Sequence, residues 1–139
     1  MLATLRRQVT ALQARLKQPQ TETRTLLERI RHRPTLILEA AGMTADAWQA
    51  KLLQAKWKRA LLLCSRQAGK SQVSATLALA EALTRPRSLI LLLSPSLRQS
   101  GELFRDKLLP LWRAIGRPLM DRPATQLQLE LSNSTVSPP

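Results

Sequence analysis

The chain has no tyrosine, one phenylalanine, one cysteine and one histidine in 139 residues. A single cysteine excludes an internal disulfide and fits a reducing, cytoplasmic compartment. One cysteine and one histidine cannot assemble a zinc site. The aromatics are Trp48, Trp57, Phe104 and Trp112. They fall at helical spacings beside Leu and Ile and read mostly as core, because a stacking platform for single-stranded nucleic acid needs more of them. No apolar run approaches the ~18 residues of a membrane span. The N-terminus carries charges without the apolar core of a secretory signal, so neither a membrane partner nor secretion is expected. Acids are scarce: nine Asp and Glu stand against 22 Lys and Arg, a net charge of +13. That surplus favours a polyanionic partner. The alternative is an Arg-rich, solvated surface that contacts nothing.

What is present centres on residues 60–84. Ala60 to Leu63 is a short apolar run of the kind a buried strand needs. It gives way to a loop closing on Gly69-Lys70-Ser71. Gln72 to Leu83 is rich in Ala and Leu and free of Gly and Pro, which predicts a helix to about Thr84. Strand, loop, Gly-Lys-Ser and helix together make a phosphate-binding context. Backbone N–H groups of Ser65, Arg66, Gln67, Ala68 and Gly69 would surround phosphate oxygens. Gly69 allows a turn in which a Cβ would clash. Lys70 supplies a point charge for the terminal phosphates, and the Ser71 hydroxyl suits a nucleotide-bound Mg²⁺. The helix that follows aims its positive end at the same place. One departure stands out: Cys64 occupies the place usual for the first glycine. Cys64 reads as a small apolar residue, not a nucleophile.

Further along, Leu89 to Leu93 is continuously apolar and predicts a parallel strand buried on both faces. Strand, helix and strand would form a right-handed βαβ unit. Phe104, Leu108, Leu111 and Ile115 keep helical spacing through Pro110, which predicts a kinked helix ended by Gly116 and Pro118. Gln126 to Leu131 alternates with period two, as a half-exposed strand does.

The N-terminal region reads as helical. Leu2, Leu5, Val9, Leu12 and Leu16 form an a/d stripe ended by Pro19. So short a helix is marginal alone; it docks on the domain, frays, or packs on a second chain. Thr25 and Glu28 fit a capping box opening a second helix, which Pro34 interrupts. Residues 35–43 are apolar and then small, with Gly42 near the end. Thr44 and Asp46 are candidate N-caps for a helix to about Lys58, with Trp48, Leu52 and Leu53 inward. His32, between Arg31 and Arg33, reads as exposed and without a role.

Three segments carry a family resemblance. Ser65-Arg-Gln-Ala-Gly-Lys-Ser71 after Leu61-Leu-Leu-Cys64 resembles the variant Walker A loop of the large terminase subunits, the DNA-packaging ATPases of tailed bacteriophages. Asp46-Ala-Trp48-Gln49 resembles the Asp-x-Trp-Gln segment that precedes that loop. Ser88 to Phe104 resembles the second strand and following helix of the same core. The resemblance covers about residues 40–132. It implies ATP and Mg²⁺ as ligands and double-stranded DNA as the polyanion. It also implies the portal and small terminase subunit as partners, in a phage or prophage product within a bacterial host. Gln49 would read the adenine edge in such a motor, or else lie solvated on a helix surface. Arg66 would sense the γ-phosphate, or else contribute only loop charge.

The expected architecture is therefore α/β: a partial P-loop NTPase with a parallel βαβ core, preceded by N-terminal helices. Residues 1–43 would be the helical segment, 44–133 the partial ATPase core and 134–139 a disordered tail. Turnover would also need a strand ending in an acidic residue to hold Mg²⁺. After Ser71 the acids are Glu81, Glu102, Asp106, Asp121 and Glu130. None lies in that context, and no acidic cluster could form a two-metal nuclease. The chain is thus expected to be a truncated N-terminal part of the motor that binds ATP without hydrolysing it alone. A basic DNA-binding module without enzymatic activity and an inactive prophage remnant are the alternatives.

Overall fold

A computed structural model describes residues 1–120, 124–125 and 127–132, apart from the side chains of residues 16–19. The tail 134–139 and Asp121 lie outside the described residues. Helices α1 (Leu2–His32), α2 (Leu36–Ala40), α3 (Ala47–Gln54) and α4 (Lys70–Thr84) come first. A last helical stretch combines α5 (Leu97–Glu102), a π-helical segment (Leu103–Leu108) and α6 (Leu109–Ala114).

The core forms around α4. Its Val73, Ala75, Ala78, Leu79, Ala80 and Leu83 are buried, together with Ile30 of α1, Ile37 and Leu38 of α2, and Leu52 and Leu53 of α3. Phe104, Leu108, Leu109, Leu111 and Trp112 close it from the other side. Small residues on α4 let neighbouring helices approach, while Leu79 and Leu83 fill the space between them. Thr76 is wholly buried and donates its hydroxyl to the Gln72 carbonyl at 2.8 Å, which satisfies it within the helix.

The helix ends follow local chemistry. After α2, Gly42 takes φ +76°, with Met43 N–H donating to Leu38 O and Gly42 N–H to Glu39 O. After α6, Gly116 at φ +91° repeats the arrangement, with Arg117 N–H on Trp112 O and Gly116 N–H on Arg113 O. Both are Schellman caps, which satisfy carbonyls the helix leaves unpaired. Pro110 is accommodated by widening. It has no N–H to donate and its ring crowds the preceding turn. The turn before it is π-helical, with Leu109 N–H bonding Phe104 O. The predicted kink is thus taken up as a π-bulge.

The N-terminal helices differ from expectation. One helix, α1, runs through position 19 to His32. The Thr25–Glu28 capping box is not formed: Thr25 donates its hydroxyl to Thr21 O at 3.0 Å, and Glu28 pairs with Arg24 at 3.6 Å. Among the described residues, α1 is anchored in its second half, through Leu26, Leu27 and the buried Ile30. Arg31 also donates to Thr84 O, a carbonyl at the C-terminus of α4, at 3.0 Å. Leu2, Leu5, Val9 and Leu12 stay exposed, so these four positions of the stripe do not dock on the body; the Leu16 side chain lies outside the described residues.

The expected parallel βαβ core is not present. Among the described residues there is no strand or sheet, only an isolated antiparallel bridge between Met120 and Leu131. Segments 60–64 and 89–93 join no ladder. Leu62, Ile90 and Leu92 lean on the core, while Leu61 and Leu63 are 94% and 97% exposed. Leu89, Leu91 and Leu93 also face outward. Parallel ladders occur almost only with both faces covered, and helices here cover one face alone. The predicted strand at 126–131 is likewise reduced to the bridge at Leu131, with Gln126 outside the described residues.

Exposed apolar rows of this kind invite association. Replacing Leu61, Leu63, Leu89, Leu91 and Leu93 together by Thr is expected to raise the solubility limit severalfold. The melting temperature should move by no more than about 5 °C, because little buried area is lost. A fall of well over 10 °C in a thermal melt would show that these rows are covered in solution. Among the described residues, no helix is long and apolar enough to cross a membrane.

Candidate functional site

The loop between segment 60–64 and α4 enters the helix at Gly69. Ala68 and Gly69 are half-buried, whereas Ser65, Arg66 and Gln67 are exposed. Gly69 is the N-cap of α4 at φ +82°, ψ +22°, and its carbonyl accepts the first helical bond from Val73 N–H at 3.0 Å. The N–H groups of Lys70, Ser71 and Gln72 therefore open the helix without intrahelical partners. Gln67 also has positive φ, +59°. Alternation of right- and left-handed residues is what turns successive N–H groups toward one concavity, where an anion can sit.

Lys70, the first residue of α4, folds its side chain back across the loop, and Nζ donates to Cys64 O at 2.9 Å. The ammonium thus rests against the start of the loop, six residues back in the chain. Exposed Ser71 follows it on the first helical turn, where a hydroxyl can reach a cation held by phosphates. Arg66 is exposed on the loop, which leaves its guanidinium accessible from solvent.

Positive φ at a residue with a Cβ costs about 1 kcal/mol. Gln67→Gly is therefore expected to stabilise the fold by up to about 1 kcal/mol, less the added unfolded-state entropy of glycine. Chemical denaturation measures it, and destabilisation beyond about 1 kcal/mol would mean that the Gln67 side chain has a structural task.

Gln49 sits beneath this loop on α3. It is 7% exposed. Its Oε1 accepts the Asp46 N–H at 2.9 Å, while the Asp46 carboxylate accepts the Gln49 N–H, which completes a capping box. Its Nε2 lies against Gly69 and donates to the Gly69 carbonyl at 3.5 Å. The structure thus brings Gln49 to the loop, but with its amide facing inward. The spacing Asp46-x-x-Gln49 is itself a capping-box pattern, and it was the available sign of this arrangement. Nothing in the sequence marked Gln67 for positive φ.

A cleft of about 740 Å³ lies elsewhere, between segment 88–93, α4 and residues 127–131. Its lining is mostly leucine, and no loop residue contributes to it. Its polar lining is Arg87, Ser88, Ser100, Gln128 and Glu130. Among the described residues no group of three or more His, Cys, Asp or Glu could hold a metal ion directly. No protein-family model matches the chain, and neither the curated proteins nor the solved structures searched gave a match.

Proposed function

We propose that residues 64–71 bind the polyphosphate of ATP with Mg²⁺, and that the chain is the N-terminal part of a terminase-like DNA-packaging ATPase. The observation that carries the reading is the juxtaposition at the N-terminus of α4. Gly69 turns the chain at positive φ, Lys70 reaches back across the loop to Cys64 O, and a 15-residue helix opens at the same place with its first N–H groups lacking intrahelical partners. Those N–H groups and the Lys70 ammonium together suit a multiply charged phosphate chain. Ser71 would join the coordination of Mg²⁺, and Arg66 would meet the terminal phosphate as a fork. Binding without turnover by this chain alone fits the scarcity of acids. Titration calorimetry with ATP, with and without Mg²⁺, tests the reading: Mg-dependent heat is expected, and no heat with either would end it. The portal and small terminase subunit are the partners this reading brings, in the cytoplasm of a bacterial host.

Direct DNA binding without nucleotide is a second reading, favoured by one surface. Lys56, Trp57, Lys58 and Arg59 are consecutive and exposed, with Trp57 held by a bond from Nε1 to Leu52 O at 3.1 Å. A fixed indole between cations suits a phosphate backbone. Affinity for duplex DNA is then expected to fall steeply with salt. Replacing Lys56, Lys58 and Arg59 by Ala should make the slope of log K against log salt shallower by about 2–3. An unchanged slope would remove this surface from DNA binding.

A further inference from the structure

The position of Gln49 separates two roles that its side chain could play at the loop. Reading a nucleobase edge requires both halves of a carboxamide: an oxygen to accept and an N–H to donate, in one plane, at an accessible surface. Gln49 offers neither half. Its oxygen holds the first turn of α3 through Asp46 N–H at 2.9 Å, its nitrogen points at Gly69 O, and the residue is 7% exposed. Turning outward would break the capping box and remove the group that touches the loop. A Cβ on Gly69 would stand 2.5 Å from Gln49 Nε2, so the amide fits against the glycine and leaves no slack.

We infer that Gln49 is a positioning residue that braces Gly69 from below, and that the site takes the triphosphate of a nucleoside without selecting its base. The inference rests on the phosphate-binding reading of residues 64–71. The Gly69 carbonyl receives bonds from two sides, Val73 N–H at 3.0 Å and Gln49 Nε2 at 3.5 Å. Gln49 therefore holds the peptide plane whose orientation sets the direction of the next N–H, that of Lys70. Affinity would come from backbone N–H groups and Lys70, which meet every nucleoside triphosphate alike. Inorganic tripolyphosphate would share most of it.

The experiment compares Mg-ATP, Mg-GTP and Mg-tripolyphosphate by calorimetry on the full chain, with Gln49→Ala and Gln49→Glu. The expected result is ATP and GTP affinities within about threefold, and a similar loss of about tenfold for all three ligands in Gln49→Ala. Gln49→Glu keeps the acceptor for Asp46 N–H and so preserves the cap. It lacks the donor and brings a negative charge to the loop, so it should weaken all three further. A wild-type preference for ATP over GTP of tenfold or more, lost in Gln49→Ala, would overturn the inference. Amide exchange without ligand separates this from failure of the phosphate reading. Exchange at Lys70 and Ser71 is expected to speed severalfold in Gln49→Glu, while the core of α4 stays protected. If no ligand binds wild type yet exchange responds, the phosphate site and base indifference fall and the brace stands. Unchanged exchange would overturn the brace itself.

Discussion

Lys70→Ala is expected to reduce Mg-ATP affinity by about 100-fold or more, below detection in an ordinary calorimetric titration. A hydrogen bond to a charged group contributes about 1.5–3 kcal/mol, and each 1.4 kcal/mol is tenfold in affinity. Lys70 adds its net charge to that bond, because it is the cation lying over the loop, with Nζ 2.9 Å from Cys64 O. The fold should tolerate the change. Lys70 opens α4, alanine is the best helix former, and the bond to Cys64 O is one contact at the rim of the core. A melting temperature within a few degrees of wild type would show that binding, not folding, has been removed. Equal ATP affinity in both proteins would mean that Lys70 does not meet phosphate, and the functional reading would fail with it.

Gly69→Ala should act on both stability and binding. At φ +82° an alanine pays about 1 kcal/mol for the left-handed conformation. Its Cβ would also lie 2.5 Å from Gln49 Nε2, so the buried amide must move. Losing a buried hydrogen-bond arrangement costs about 1–3 kcal/mol more. A fall in melting temperature of about 10 °C is expected for a chain of this size, together with loss of Mg-ATP binding. Gly116→Ala is the matched control. Its φ is +91° but nothing lies within 4 Å of the new Cβ, so only the conformational part should appear. The difference between the two variants measures the Gln49 contact. A Gly69→Ala protein as stable as Gly116→Ala would show that Gln49 gives way freely. In that event the bracing role would lose its basis.

Several parts of this architecture were legible from residue order because they depend on neighbours in the chain. Asp46 caps α3, Gly69-Lys70 opens α4, α4 ends at Thr84, and Gly116 ends α6. Each is a contest among a few adjacent dihedrals and hydrogen bonds. Other expectations failed where a distant partner decided. The a/d stripe of Leu2, Leu5, Val9 and Leu12 showed an apolar face, but only packing could tell that the body leaves it uncovered. Pro19 and the Thr25–Glu28 pair looked like a boundary. Yet α1 continues to His32, where Ile30 in the core and Arg31 on Thr84 O hold its far half. Pro110 announced a disturbance, and the form it takes, a π-helical turn, depends on keeping Phe104, Leu108 and Leu111 buried on one side.

The same division runs through the site. Sequence alone determined a glycine-lysine-serine turn into a helix, a strongly basic chain and a lone cysteine with no partner for a disulfide within the chain. These follow from residue chemistry and local backbone preference. Tertiary structure decided the fate of the apolar runs at 60–63 and 89–93. Such a run is compatible with burial on two faces or on one. Here the helices cover one face, so alternate leucines face solvent and no ladder forms among the described residues. Tertiary structure also decided the task of Gln49. A carboxamide can read a base, lie on a surface or brace a loop with equal chemical aptitude. Only the approach of α3 to Gly69, which sets that buried amide against a residue 20 positions away in the chain, selects the last.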